Sequence, residues 1–128
     1  MTKKHLEIAN SFIRKATEDI ILLNKIADDG EISVSIYYFH AQQAVEKLLK
    51  ALLSKNGIRF GKTHNIRELM DLLADTEYAL PTHFTKFDAL TPYGTIGRYE
   101  DLSFKEPFTR QEIRRMIADF KVWVEANM

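Results

Sequence analysis

The sequence predicts an all-α fold, an up-and-down bundle of about five helices. Three observations predict it. Apolar residues recur at steps of three and four through most of the 128-residue chain, which is the spacing of one helix face. The connections are short and carry helix start and stop residues, such as Asn56-Gly57 and Thr109 with Glu112. No stretch reads as a strand, and there is no internal repeat or low-complexity segment.

The first helix is expected over Lys3 to Ala27. Leu6, Ala9, Ile13, Ala16, Ile20, Leu23 and Ala27 form a seam for a nearly parallel or antiparallel neighbour. Asp28-Asp29-Gly30 ends it, with Gly30 able to take the left-handed conformation of a helix C-terminus. Ser33 or Ser35 caps the second helix, Ser33 to Asn56, around which the rest of the chain is arranged. Its main apolar face holds Tyr37, Ala41, Ala44, Val45, Leu48, Ala51 and Leu52. A thinner line of Phe39, Glu46 and Leu53 runs nearly opposite. A helix apolar on two sides must be covered on two sides, inside a bundle or at a subunit contact.

Asn56-Gly57 closes this helix, and Ile58 to Thr63 form a loop. Thr63 or Asn65 starts the third helix; Asn65 with Glu68 resembles a capping box, and Ile66, Leu69, Met70, Leu72 and Leu73 supply its apolar face. A shorter fourth helix begins at Pro81 and runs through Phe84, Phe87 and Leu90. Pro92, Gly94 and Gly97 then break the pattern in a loop holding Tyr93, Arg98, Tyr99, Glu100 and Asp101. Thr109 with Glu112 opens the last helix, with Ile113, Met116, Ile117, Phe120, Trp123 and Val124 facing in. Residues 1–128 are expected to form one domain.

A hydrophobic content of 45% and a charged content of 28% describe a soluble globular chain. The formal net charge is zero, so whole-molecule charge points to neither nucleic acid nor membrane. There is no cysteine for a disulfide, a thiolate nucleophile or a thiolate metal site. The segment MTKKHLEIAN has no apolar run behind its lysines, and no run of about 18 apolar residues occurs. A cytoplasmic address without a membrane partner is therefore expected. The four histidines are scattered singly, so neither a metal nor a cofactor is expected. There is no glycine-rich phosphate loop and no serine in a nucleophile-elbow context.

Charge is segregated along the chain. Lys47, Lys50, Lys55, Arg59, Lys62 and Arg67 follow Glu46 with no other acid between them, while Glu68 to Asp101 is acidic. This reads either as two solvated faces, or as a basic site for a phosphate-bearing ligand or a self-complementary homodimer. The second helix carries a polar edge of His40, Gln43, Lys47, Lys50 and Ser54. Lysines and an imidazole can grip phosphate and an amide can read a base or sugar; the plain alternative is a solvated edge with snorkelling lysines. Tyr93, Arg98 and Tyr99 are the other candidate ligand residues: tyrosine faces stack bases, and a guanidinium takes a phosphate. Arg59 and His64 flank the following loop. An Arg–His pair suits metal-free RNA cleavage, with the imidazole as acid or base and the guanidinium on the crowded phosphorane.

AQQAVEKLLKALLSKNG, then KTHNIRELM, then LTPYGTIGRYED before a last helix, resembles the HEPN domain family. The likeness runs from the second helix to the last. It implies an up-and-down α-bundle that often dimerises and a link to nucleotides or single-stranded RNA. It also implies, in prokaryotes, frequent pairing with a small nucleotidyltransferase in toxin–antitoxin modules. Catalytic members of the family are metal-independent ribonucleases using Arg and, four to six residues on, His; here the matching residues are Arg59 and His64. Those members usually carry a polar residue after the arginine, where this chain has Phe60. A non-catalytic helical dimerisation or adaptor protein is the further alternative.

Overall fold

The computed structural model describes residues 2–94 and 106–128. In chain order come α1 (Lys3–Ile26), α2 (Val34–Lys55), α3 (Ile66–Ala74), a 3₁₀ helix (Thr82–Tyr93) and α4 (Arg110–Ala126). The fold is all-α, with no strand among the described residues. No helix among them is long and apolar enough to cross a membrane.

α2 is the centre, packed against α1, α3, the 3₁₀ helix and α4. Tyr37, Tyr38, Ala41, Val45, Leu48, Leu49 and Leu52 are wholly enclosed on it. Leu53, expected to leave the main face for a possible subunit contact, is wholly enclosed too. Both apolar sides of α2 are thus covered by the chain's own helices, and only Phe39 of that thinner line is partly exposed.

The helix ends follow local chemistry. Ser33 Oγ accepts from the Ile36 amide at 3.2 Å and starts α2. Gly57 ends it at φ +68°, the left-handed region that glycine enters without steric cost. The Ile58 and Gly57 amides then donate back to the carbonyls of Leu53 and Ser54, at 2.9 and 3.1 Å. Thr109 and Glu112 form the full reciprocal capping box of α4. At α3 the box is only half made. Asn65 Oδ1 accepts from the Glu68 amide, but the Glu68 carboxylate accepts from Thr63 Oγ1 at 2.9 Å, and Thr63 Oγ1 accepts from the Asn65 amide instead.

Two elements depart from expectation. Gly30 has no left-handed backbone; among the described residues only Gly57 has a positive φ. The turn after α1 is closed from α4, where Arg110 donates to the carbonyls of Asp29 and Ile32 and lies 4.7 Å from the Tyr37 ring. The fourth helix is 3₁₀ rather than α and continues through Pro92 to Tyr93. Its buried residues are Phe84, Phe87, Leu90 and Tyr93. That spacing of three suits a helix of three residues per turn, whereas an α-helix would fan the four around its axis.

Candidate functional site

Glu46 lies in the middle of α2 with a side chain only 6% exposed, so its carboxylate needs partners. It has three. Gln42 Nε2 donates to Oε1 at 3.0 Å, His64 Nδ1 reaches the same oxygen at 2.9 Å, and Lys50 Nζ reaches Oε2 at 3.0 Å. The helix supplies Gln42 and Lys50 one turn to either side; the loop before α3 supplies His64. Burial alone would raise the carboxyl's pKa, but the hydrogen bonds from Gln42, His64 and Lys50 outweigh it and hold it below the usual glutamate value.

An ionised carboxylate only accepts hydrogen bonds, so the proton on His64 sits on Nδ1 and leaves Nε2 as the free nitrogen. The His64 side chain is 66% exposed. Buried Glu46 thus orients an imidazole that faces solvent. Gln42 fixes the backbone as well, donating to the His64 carbonyl at 2.9 Å.

A second carboxylate serves the other end of the polar edge. Asp19 of α1 meets His40 Nδ1 at 3.1 Å and Lys47 Nζ at 2.6 Å. Gln43 lies between the two groups and donates from Nε2 to Gln42 Oε1 at 2.8 Å. His40, Gln43, Lys47 and Lys50 therefore share one polar ribbon, as their spacing suggested. It is neither a solvated edge nor an open row of cations, because each lysine already has a carboxylate. Farther on, Arg67 meets Asp88 at 2.5 Å, so part of the charge segregation is resolved inside the chain.

Arg59 and Lys62 are exposed on the loop between α2 and α3. Phe60 fastens this loop: its ring lies 6.2 Å from Phe12 of α1 and 5.6 Å from Lys50 Nζ. Arg59 lines a cavity with His5, Ser54 and Ile58, and the lining of that cavity does not include His64. Tyr93 is 5% exposed and packs 5.3 Å from the Tyr38 ring, so it is part of the core rather than an open stacking face. Arg98 and Tyr99 lie outside the described residues. No group of three or more side chains able to hold a metal ion occurs among the described residues.

The end of the 3₁₀ helix completes the site. Thr91 Oγ1 accepts from the Ile66 amide at 3.2 Å, and a Cβ on Gly94 would stand 3.4 Å from Gln42 Nε2. Three separated stretches, Gln42–Lys50, Thr63–Ile66 and Thr91–Gly94, converge on Gln42 and Glu46. The sequence profile of the HEPN domain matches residues 9–126. The chain belongs to the HEPN domain family. A protein of Methanocaldococcus jannaschii named "Putative toxin MJ1304" is 26% identical over 127 residues, covering 90% of this chain and 82% of that protein. No solved structure matches the chain with comparable significance.

The stretches that resemble HEPN domains are thus the ones that build this site. Sequence reasoning placed Glu46 on an apolar line and gave no role to it, to Gln42 or to Asp19. The available signal was a carboxylate at a core-facing register, flanked at four residues on each side by an amide and an ammonium.

Proposed function

We propose that this HEPN domain binds a nucleotide or single-stranded RNA at the loop between α2 and α3, and acts with a small nucleotidyltransferase in a toxin–antitoxin-type system. The main support is the Glu46–His64 pair: a buried, fully partnered carboxylate holds an exposed imidazole in one tautomer, on the same α2–α3 loop that carries the exposed cations Arg59 and Lys62. The name of the M. jannaschii relative supports a toxin role. Lys47 and Lys50 contribute less than their charge suggests, since Asp19 and Glu46 already hold them. Titrating a short single-stranded RNA and a mononucleotide into the chain tests the binding. Binding should weaken in His64→Ala and Lys62→Ala; indifference to both changes refutes this site. Co-expression with a small nucleotidyltransferase from the same genome should give a complex that survives gel filtration.

The second reading is a metal-independent ribonuclease. It is favoured by the same pair, because Glu46 holds the ring proton on Nδ1 and leaves His64 Nε2 as the accepting nitrogen. In it His64 transfers the proton and Arg59 stabilises charge on the phosphorane. Incubation with RNA in chelator decides it: cleavage lost in both His64→Ala and Arg59→Ala supports it, and cleavage that survives His64→Ala refutes it. A homodimer, as the HEPN resemblance implies, would give twice the chain mass in light scattering, with a contact other than the enclosed Leu53.

A further inference from the structure

The cavity that Arg59 lines has a volume of about 300 Å³ and lies between the first turns of α1 and the end of α2. Ile8, Ile58 and Phe60 give it apolar walls, and Ser54 and His5 give it polar groups. Phe60 is held in place by Phe12 and Lys50. His5 is unusual: its Nδ1 is enclosed and has no hydrogen-bond partner. Buried polar atoms are nearly always paired, so a lone one calls for an explanation. It closes on Gly57, where a Cβ would stand 3.6 Å from Nδ1 and 3.5 Å from Cε1. His5 thus brings to the cavity wall a ring whose hydrogen-bonding capacity is not spent within the chain.

We propose that this cavity is a subsite for the base of a mononucleotide whose phosphate is held by Arg59. A purely apolar ligand would leave the Ser54 hydroxyl and the His5 ring unpaired. A bare phosphate would leave the Ile8, Ile58 and Phe60 walls uncovered. A planar heteroaromatic ring satisfies both, with apolar faces and hydrogen-bonding edges. The volume stands at the lower end of small-molecule clefts, roughly 300–1,000 Å³, and suits one nucleotide rather than several. The inference rests on the nucleotide-binding reading and sharpens it. It gives Arg59 a binding role apart from His64, at a separate place on the loop.

The test is NMR titration of the full chain at low salt with 5′-AMP, adenosine and inorganic phosphate, with RNA binding measured on the same samples. AMP should shift the amides of Ile8, Gly57, Ile58 and Phe60 and the His5 ring. Ile8→Trp, at a partly exposed wall, fills the cavity and should weaken AMP binding at least about tenfold. Arg59→Gln should weaken AMP by about tenfold while leaving adenosine unchanged. Both variants must keep the parent's amide pattern away from the cavity, and Arg59→Gln, at an exposed position, serves if the tryptophan disturbs the fold. AMP that binds both variants as it binds the parent overturns the subsite. RNA binding without any AMP response at the cavity overturns the subsite alone. An AMP response at the cavity without RNA binding supports the subsite and rejects the RNA reading.

Discussion

His64 Nδ1 and Glu46 Oε1 meet at 2.9 Å, joining the loop before α3 to the middle of α2. One partner is buried and the other faces solvent, so the contact passes from the core to the surface in one hydrogen bond. It fixes the loop's position as well as the histidine's tautomer, and Gln42 secures the same residue through its carbonyl.

Glu46 makes stability depend on acid. Its folded-state pKa lies below the ordinary value of 4.5 despite burial, because Gln42, His64 and Lys50 favour the charged form. A depressed folded pKa contributes stability that is present above the unfolded pKa and is lost as pH falls through the folded one. Urea unfolding should therefore show stability declining as pH drops below about 4.5, and Glu46→Gln should show a shallower decline over that window.

The Glu46–Lys50 pair is expected to matter more when half of it is removed than when all of it is. Glu46→Ala leaves the Lys50 ammonium buried without a carboxylate and should cost about 3 kcal/mol. Glu46→Leu with Lys50→Met should recover much of that loss. Chemical denaturation of the three chains measures both effects.

Two glycines should respond differently. Gly57→Ala forces a Cβ into the left-handed region and should cost about 1 kcal/mol. Gly30 has no such backbone and no atom within 4 Å of an added Cβ. Gly30→Ala should leave the melting temperature unchanged or slightly raised.

Tyr38 links α2 to the start of α4. Its single hydroxyl proton is shared between the Phe108 carbonyl and Glu106 Oε2. Burial raises the phenol's pKa, and the Glu106 carboxylate raises it further. Tyr38→Phe removes the donor and should cost about 1 kcal/mol in thermal unfolding. In the parent, ultraviolet titration should show a tyrosine that ionises only at a pH above the ordinary range.

Much of the fold could be read from spacing because helix faces, caps and stops are local. Ser33, Gly57 and the Thr109–Glu112 box act within four residues, and each stands where sequence placed it. The end of α1 falls within one residue of its expected place, but the closure of the turn after it escaped, because Arg110 lies far along the chain. The 3₁₀ helix was visible as a step of three from Phe84 to Leu90 but was read as α, since Pro92 suggested an end rather than a tighter winding. His40, Gln43, Lys47 and Lys50 do lie along one ribbon of α2, but its state depends on Asp19 from another helix and on a glutamate counted with the apolar residues. Periodicity tells which residues share a face; it does not tell which charges meet across helices.

On the proposed function, the loop between α2 and α3, and not the neutralised edge of α2, contacts nucleic acid. Fluorescence anisotropy of a labelled single-stranded RNA across a salt series measures this directly, with the parent beside Lys62→Ala and Lys47→Ala. Lys62 is exposed, whereas Asp19 already occupies Lys47. The slope of log affinity against log salt should become shallower by about 0.7 in Lys62→Ala and stay at the parent's value in Lys47→Ala. An unchanged slope in Lys62→Ala, or a shallower one only in Lys47→Ala, would contradict it.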